Sequence, residues 1–117
     1  MVRLLLPLLL APAFAGCDIV RCQNEALDVV VSPDGRHAAF VFQRACGATT
    51  GFSTQVSLTR DAGVLPAEPG NVLILGDVPV SVTWRGARRL LIAYPSRARP
   101  FFRVSAQDGV QISYEAR

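Results

Sequence analysis

Between Val78 and Arg85 the chain alternates with period two. Val78, Val80, Val82 and Trp84 fall on one side, and Pro79, Ser81, Thr83 and Arg85 on the other. That spacing predicts a half-buried β-strand. Thr54, Val56 and Leu58 alternate with Gln55, Ser57 and Thr59 in the same way, and the run Arg36 to Ala45 sets Ala38, Phe40 and Phe42 on one face. Short apolar runs predict further strands at Leu27 to Val31, Asn71 to Leu75, Leu90 to Tyr94, Phe101 to Ser105 and Val110 to Tyr114.

Turn chemistry separates these runs. In Ser32-Pro33-Asp34-Gly35, Pro33 presets φ, Asp34 bonds to nearby amides and Gly35 accepts positive φ. The turn therefore closes a hairpin between the first two strands. Gln107-Asp108-Gly109 is expected to close another, pairing Phe101 to Ser105 with Val110 to Tyr114. Gly86-Ala87 marks a turn, Asp61 to Gly70 a loop with Pro66 and Pro69, and Pro95 to Pro100 a polar break. Helical spacing is absent after the leader, apart from a short turn expected at Asp18 to Ala26. The expected architecture is all-β: about eight short strands in a single antiparallel β-sandwich or partly closed barrel. Ser-Pro-Asp-Gly and the Trp84 strand look like pieces of propeller blades, but 117 residues are too few to close a propeller.

The amino terminus follows another pattern. Arg3 gives a positive start, Leu4 to Leu10 an apolar stretch of six leucines around Pro7, and Ala13-Phe14-Ala15 a small-x-small end. This is the anatomy of a secretory signal, too short to span a bilayer as a permanent helix. Ala13-Phe14-Ala15 suits ordinary cleavage before Gly16. Phe14-Ala15-Gly16-Cys17 resembles the lipobox of bacterial lipoproteins, whose cysteine is acylated and becomes the first residue; Phe14 stands where that family usually has Leu, Val or Ile. The chain holds three cysteines. Ordinary cleavage leaves Cys17, Cys22 and Cys46, an odd thiol in an oxidising compartment, whereas lipidation of Cys17 leaves Cys22 and Cys46 as an even pair for a disulfide. The preferred division is a lipoprotein-type signal at 1–16, a tether at 17–26 and a β domain at 27–117. The expected location is the periplasmic side of the envelope, anchored to the membrane through Cys17. Asp18 resembles an inner-membrane retention signal of enterobacterial lipoproteins, and inner versus outer membrane stays open.

Composition adds mostly exclusions. The net charge is +3, carried by twelve arginines and no lysine against nine acidic residues. A charge this small, spread along the chain, leaves no footprint for nucleic acid. His37 is the sole histidine, and neither zinc-ligand spacing, a Walker loop nor a Gly-x-Ser-x-Gly elbow occurs. No metal, cofactor or catalytic residue is therefore nominated. Arg85, Arg88, Arg89, Arg97, Arg99 and Arg103 make the second half locally basic. They are read as solvated turn and edge positions in preference to contacts with lipid head groups. Trp84, Phe101 and Phe102 are read as core.

The most distinctive stretch is Cys46-Gly47-Ala48-Thr49-Thr50-Gly51-Phe52-Ser53-Thr54-Gln55-Val56-Ser57-Leu58. With Ser-Pro-Asp-Gly before it, the span Ser32 to Leu58 resembles the signature of a family of small, uncharacterised bacterial exported proteins; the resemblance implies no activity. Gly47 and Gly51 permit tight backbone, and the Thr49, Thr50, Ser53 and Thr54 hydroxyls can satisfy turn amides or hold an anion or a partner's backbone. Gly47, Thr49, Thr50, Gly51, Phe52, Ser53 and Gln55 form the candidate binding loop, beside the reading of a self-satisfied turn. A Cys22–Cys46 bridge would close about 25 residues and contribute about 3 kcal/mol on the chain-entropy model. The expected function is a non-catalytic envelope lipoprotein, a binding or interaction module with a membrane contact through Cys17 and an envelope protein partner. A soluble periplasmic inhibitor or accessory protein, and a small hydrolase, are the alternatives.

Overall fold

In the computed structural model, which describes residues 21–47 and 51–117, the described residues contain no helix. Strands β1 (Gln23–Val31) and β2 (Ala38–Ala45) form the hairpin that Ser32 to Gly35 dictates. Gly35 takes φ 73° at its tip. β3 (Phe52–Thr59) lies antiparallel to β2, with Val41 opposite Val56 and Ala39 opposite Leu58. β4 (Leu73–Leu75) extends this sheet. The chain then crosses to a second sheet through β5 (Ser81–Gly86) and β6 (Arg89–Tyr94), returns for β7 (Phe102–Arg103) beside β4, and crosses again for β8 (Ala106–Gln107) and β9 (Val110–Ala116). The result is a five-stranded sheet, β1-β2-β3-β4-β7, facing a four-stranded sheet, β5-β6-β9-β8.

The sheets pack as a sandwich and do not close into a barrel. Val41, Val56, Leu73, Leu75, Leu90, Ile92, Val110 and Ile112 meet between them, all buried. This is what period-two alternation on both sheets demands. A second cluster of Ala38, Phe40 and Phe42 lies on the opposite face of β2, covered by Leu65. The covering loop is tied down by polar side chains. Asn24 donates to the Pro66 and Glu68 carbonyls, Arg44 to the Ala67 carbonyl, and Gln55 accepts from the Gly70 amide at 2.7 Å. Asn71 pairs with both backbone groups of Leu58.

Several expectations are corrected. The Asp18–Ala26 turn gives way to strand from Gln23 onward, and the part at 18–20 lies outside the described residues. β6 and β9 run parallel, because the chain reverses twice between them, at the crossing into β7 and at the Asp108-Gly109 turn between β8 and β9. Phe101 to Ser105 is not the partner of the last strand. The Asp108-Gly109 turn closes the shorter β8–β9 hairpin, with both residues at positive φ, 49° and 78°, as a two-residue primed turn requires. Phe102–Arg103 pairs with β4 instead. Phe101 and Phe102 are not core: they are 79% and 41% exposed. Trp84 does pack against the core, and its indole N–H donates to the Val30 carbonyl at 2.9 Å, covering part of the open edge of β1.

Candidate functional site

The strand directions give the sandwich two unlike ends. Cys22 precedes β1 and Cys46 follows β2, next to the Gln23–Ala45 pair, and they form a disulfide with Cα atoms 4.0 Å apart. The β1–β2 turn lies at the other end of the same hairpin. Nine strand residues at about 3.3 Å each separate the two ends by about 30 Å.

At the turn end, three tight turns and the end of β3 converge on a cleft of about 380 Å³. The first turn is self-braced. The Ser32 hydroxyl donates to Asp34 Oδ1 at 2.6 Å, the Arg36 amide donates to the same oxygen, and the His37 amide donates to Ser32 Oγ. These contacts, the Ser32 hydroxyl foremost, hold the Asp34 carboxyl below its ordinary range. They also fix where His37 leaves the turn. Its ring stacks beside Trp84, with centroids 6.5 Å apart, and its Nε2 lies 3.0 Å from Asp108 Oδ2.

Asp108 is the hub of this end. Arg60 donates to it through Nε and Nη2, both at 2.8 Å, the two-pronged geometry that suits guanidinium and carboxylate. The Arg60 bonds first and the His37 bond second pull the Asp108 carboxyl down to about 2. Because that carboxylate only accepts, His37 carries its proton on Nε2 in this contact. Nδ1, on the other side of the ring, is buried with no hydrogen-bond partner.

Arg36 and Arg88 also line the cleft. Their guanidinium groups make no hydrogen bond or ion pair among the described residues. Both carboxylates are satisfied internally while two cations are uncommitted, so the cleft can receive an anion. Its lining includes no hydroxyl, thiol or lysine nucleophile. Ser32 Oγ is spent on Asp34 and the His37 amide. Among the described residues, no group of three or more His, Cys, Asp or Glu is placed to hold a metal ion.

The candidate loop lies at the disulfide end, and its members separate. Ser53 Oγ donates to the Leu75 carbonyl at 2.6 Å and accepts from Gln55 Nε2, and Gln55 is only 5% exposed. Both side chains tie β3 to its surroundings, and Gln55 faces the covering loop, which period-two spacing alone does not reveal. Gly47 takes φ 116°, a conformation that suits glycine. Gly51 is exposed, and Phe52 is 52% exposed. Thr49, Thr50 and Cys17, the expected site of lipidation, lie outside the described residues, as does the whole expected signal segment at 1–16.

In the sequence alone His37 has no nominated role, and Asp34 and Asp108 are turn formers. The sequence alone does not connect Arg36, Arg60 and Arg88 with them. The available signal was that Ser-Pro-Asp-Gly, Gly-Ala-Arg-Arg and Gln-Asp-Gly are all turns carrying charge; that they share one end follows only from the strand order. No family model, curated protein or solved structure matches this chain.

Proposed function

We propose that the chain is a non-catalytic binding module of the bacterial cell envelope, exported and tethered to the membrane through an acylated Cys17, that receives an anionic group in the cleft remote from its anchor. The observation that carries this reading is the polarity of the domain. The Cys22–Cys46 bond lies five residues after Cys17 and marks the tethered end, and the cleft lies at the opposite end. The bond uses two of the three cysteines, leaving Cys17 for the lipid, and suits an oxidising compartment. Membership in the family that Ser32 to Leu58 resembles belongs to the same proposal.

Arg36 and Arg88 enter the cleft from different turns, so together they suit a phosphate better than a planar carboxylate, which one arginine can hold by itself. Asp108, Arg60 and His37 then act as a braced floor. The test is a titration of the full chain with inorganic phosphate, followed through the His37 ring resonances. A saturable shift that weakens about tenfold in Arg36→Ala/Arg88→Ala is expected, as for loss of two partly exposed charge-assisted contacts. Resonances that stay unmoved, or equal binding by the variant, would contradict the assignment.

A further inference from the structure

The disulfide end has a surface of its own. β6 runs from Arg89 at the cleft end to Tyr94 at the disulfide end, so the connection from Pro95 to Phe101 emerges beside the tethered side. Register places the other elements. Phe52 pairs with Ala45, next to the bridge, and the Phe101 amide donates to the Ile74 carbonyl, one residue from the Leu75–Thr54 pair. Phe52 on β3 and Phe101 before β7 are thus two strands apart, about 10 Å across the sheet. Both project from the same end, and they are 52% and 79% exposed. Phe102, 41% exposed, falls on the opposite face of the sheet, in register with Ile74 and Gln55.

Exposed phenylalanines are informative because, among the described residues, little covers them. Here they are accompanied by cations. Arg97 and Arg99 stand in the same connection, and Arg21 immediately precedes Cys22; all three are exposed and make no hydrogen bond or ion pair among the described residues. Of the acidic groups at this end, Glu115 is paired with Arg117, while Asp77 in the turn after β4, Glu25 on β1 and Glu68 in the covering loop are exposed and offset part of the positive charge. Arg103 is not part of the set. It donates to the Tyr94 hydroxyl and lies over the Tyr114 ring, 4.7 Å from its centre. Arginines flanking bare aromatic rings match an interface of acidic head groups over acyl chains.

We propose that this end seats on an anionic phospholipid surface, with Phe101 and Phe52 dipping into the interfacial region and Arg21, Arg97 and Arg99 meeting lipid phosphates. The inference extends the membrane-tethered reading: the acyl group holds the domain near the bilayer, and this foot sets its orientation, so that the cleft points outward. A tether of a few residues supplies nearness but no orientation.

The test uses the mature chain from residue 17 onward carrying Cys17→Ser, so that neither an acyl group nor the apolar leader Leu4 to Leu10 contributes. Its partition is measured by sedimentation with vesicles of phosphatidylcholine alone and of phosphatidylcholine mixed equally with phosphatidylglycerol. Binding to the mixed vesicles only is expected. Arg97→Gln/Arg99→Gln should weaken it about twenty-five-fold, about fivefold for each arginine lost near an acidic surface. Phe101→Ser should weaken it about tenfold through lost apolar burial. Arg85→Gln, exposed on β5 and outside the cleft, should leave it unchanged. Phe101 is exposed, so an unaltered unfolding temperature will separate lost binding from lost folding. If the Cys17→Ser chain ignores the mixed vesicles, or all variants partition alike, the foot is wrong even where native Cys17 proves to be acylated. Vesicle binding by a chain whose native Cys17 is unmodified upholds the foot and removes the anchor.

Discussion

His37 Nε2 lies 3.0 Å from Asp108 Oδ2 although the two residues are 71 positions apart. The contact links the β1–β2 turn to the β8–β9 turn, and so the two facing sheets. Arg60, at the end of β3, completes it from a third direction. A small sandwich is most easily frayed at its open ends, and this end is closed by one carboxylate.

Asp108→Asn tests that closure while leaving the backbone alone, since asparagine tolerates the positive φ of 49° found there. The Asp108 carboxyl titrates at about 2 in the folded chain, against an ordinary 3.8. A depressed acid stabilises the fold where it is ionised in both states, above about pH 4, and that contribution is lost as pH falls from about 4 toward 2. Wild type should lose unfolding temperature across that interval. Asp108→Asn should start lower at neutral pH and show a smaller acid-dependent loss.

Removing the Cys22–Cys46 bond should cost about 3 kcal/mol, because it frees a loop closed across a sequence separation of 24 in the unfolded chain. Urea titration of Cys22→Ser/Cys46→Ser against the oxidised wild type measures this. An unchanged midpoint would mean that the hairpin register alone holds this end.

Gly70 has no room for a side chain. A Cβ there would stand 2.8 Å from both the Leu73 and Val56 carbonyl oxygens and 3.1 Å from Gln55 Cβ. Two of these are backbone atoms inside the first sheet and cannot swing away. Gly70→Ala should therefore destabilise by about 1–3 kcal/mol. The loss should be accompanied by faster amide exchange over Pro66 to Asn71, as the Gln55 tie to the Gly70 amide loosens.

Tyr114 anchors the crossing between the sheets, its hydroxyl donating to the Val104 carbonyl at 2.6 Å. Burial pushes its phenol up to about 12 from 10.0. The neutral form is the one the fold favours, so its stabilisation is complete below about pH 10 and lost as pH rises from 10 toward 12. Ultraviolet titration should show a late phenolate component that Tyr114→Phe abolishes, at a cost of about 1 kcal/mol for the hydrogen bond.

Much of the fold was legible because its strands obey simple alternation. Val82 and Trp84 face inward as their spacing requires, and the turns at Ser32 to Gly35 and Asp108-Gly109 contain the residues that their backbones need. What escaped were features decided by pairing between distant segments. The chain divides between sheets after Arg103, so the long strand expected at Phe101 to Ser105 became a two-residue strand, and Phe101 was left bare. Gln55 and Ser57 have the alternation of a solvent face, but the loop from Arg60 to Gly70 lies over them and buries both. The cleft was illegible for a related reason. His37, Arg60 and Asp108 stand in separate turns or strand ends, and only the strand order puts those at one end.

The central claim is an exported domain held by its amino-terminal end. The most direct measurement is the intact mass of the mature protein from its native host, with peptide mapping before and after reduction. The account predicts a chain that begins at a diacylglyceryl-modified Cys17 and contains a Cys22–Cys46 cross-link. An unmodified chain beginning at Gly16, with Cys17 as a spare thiol, would contradict it.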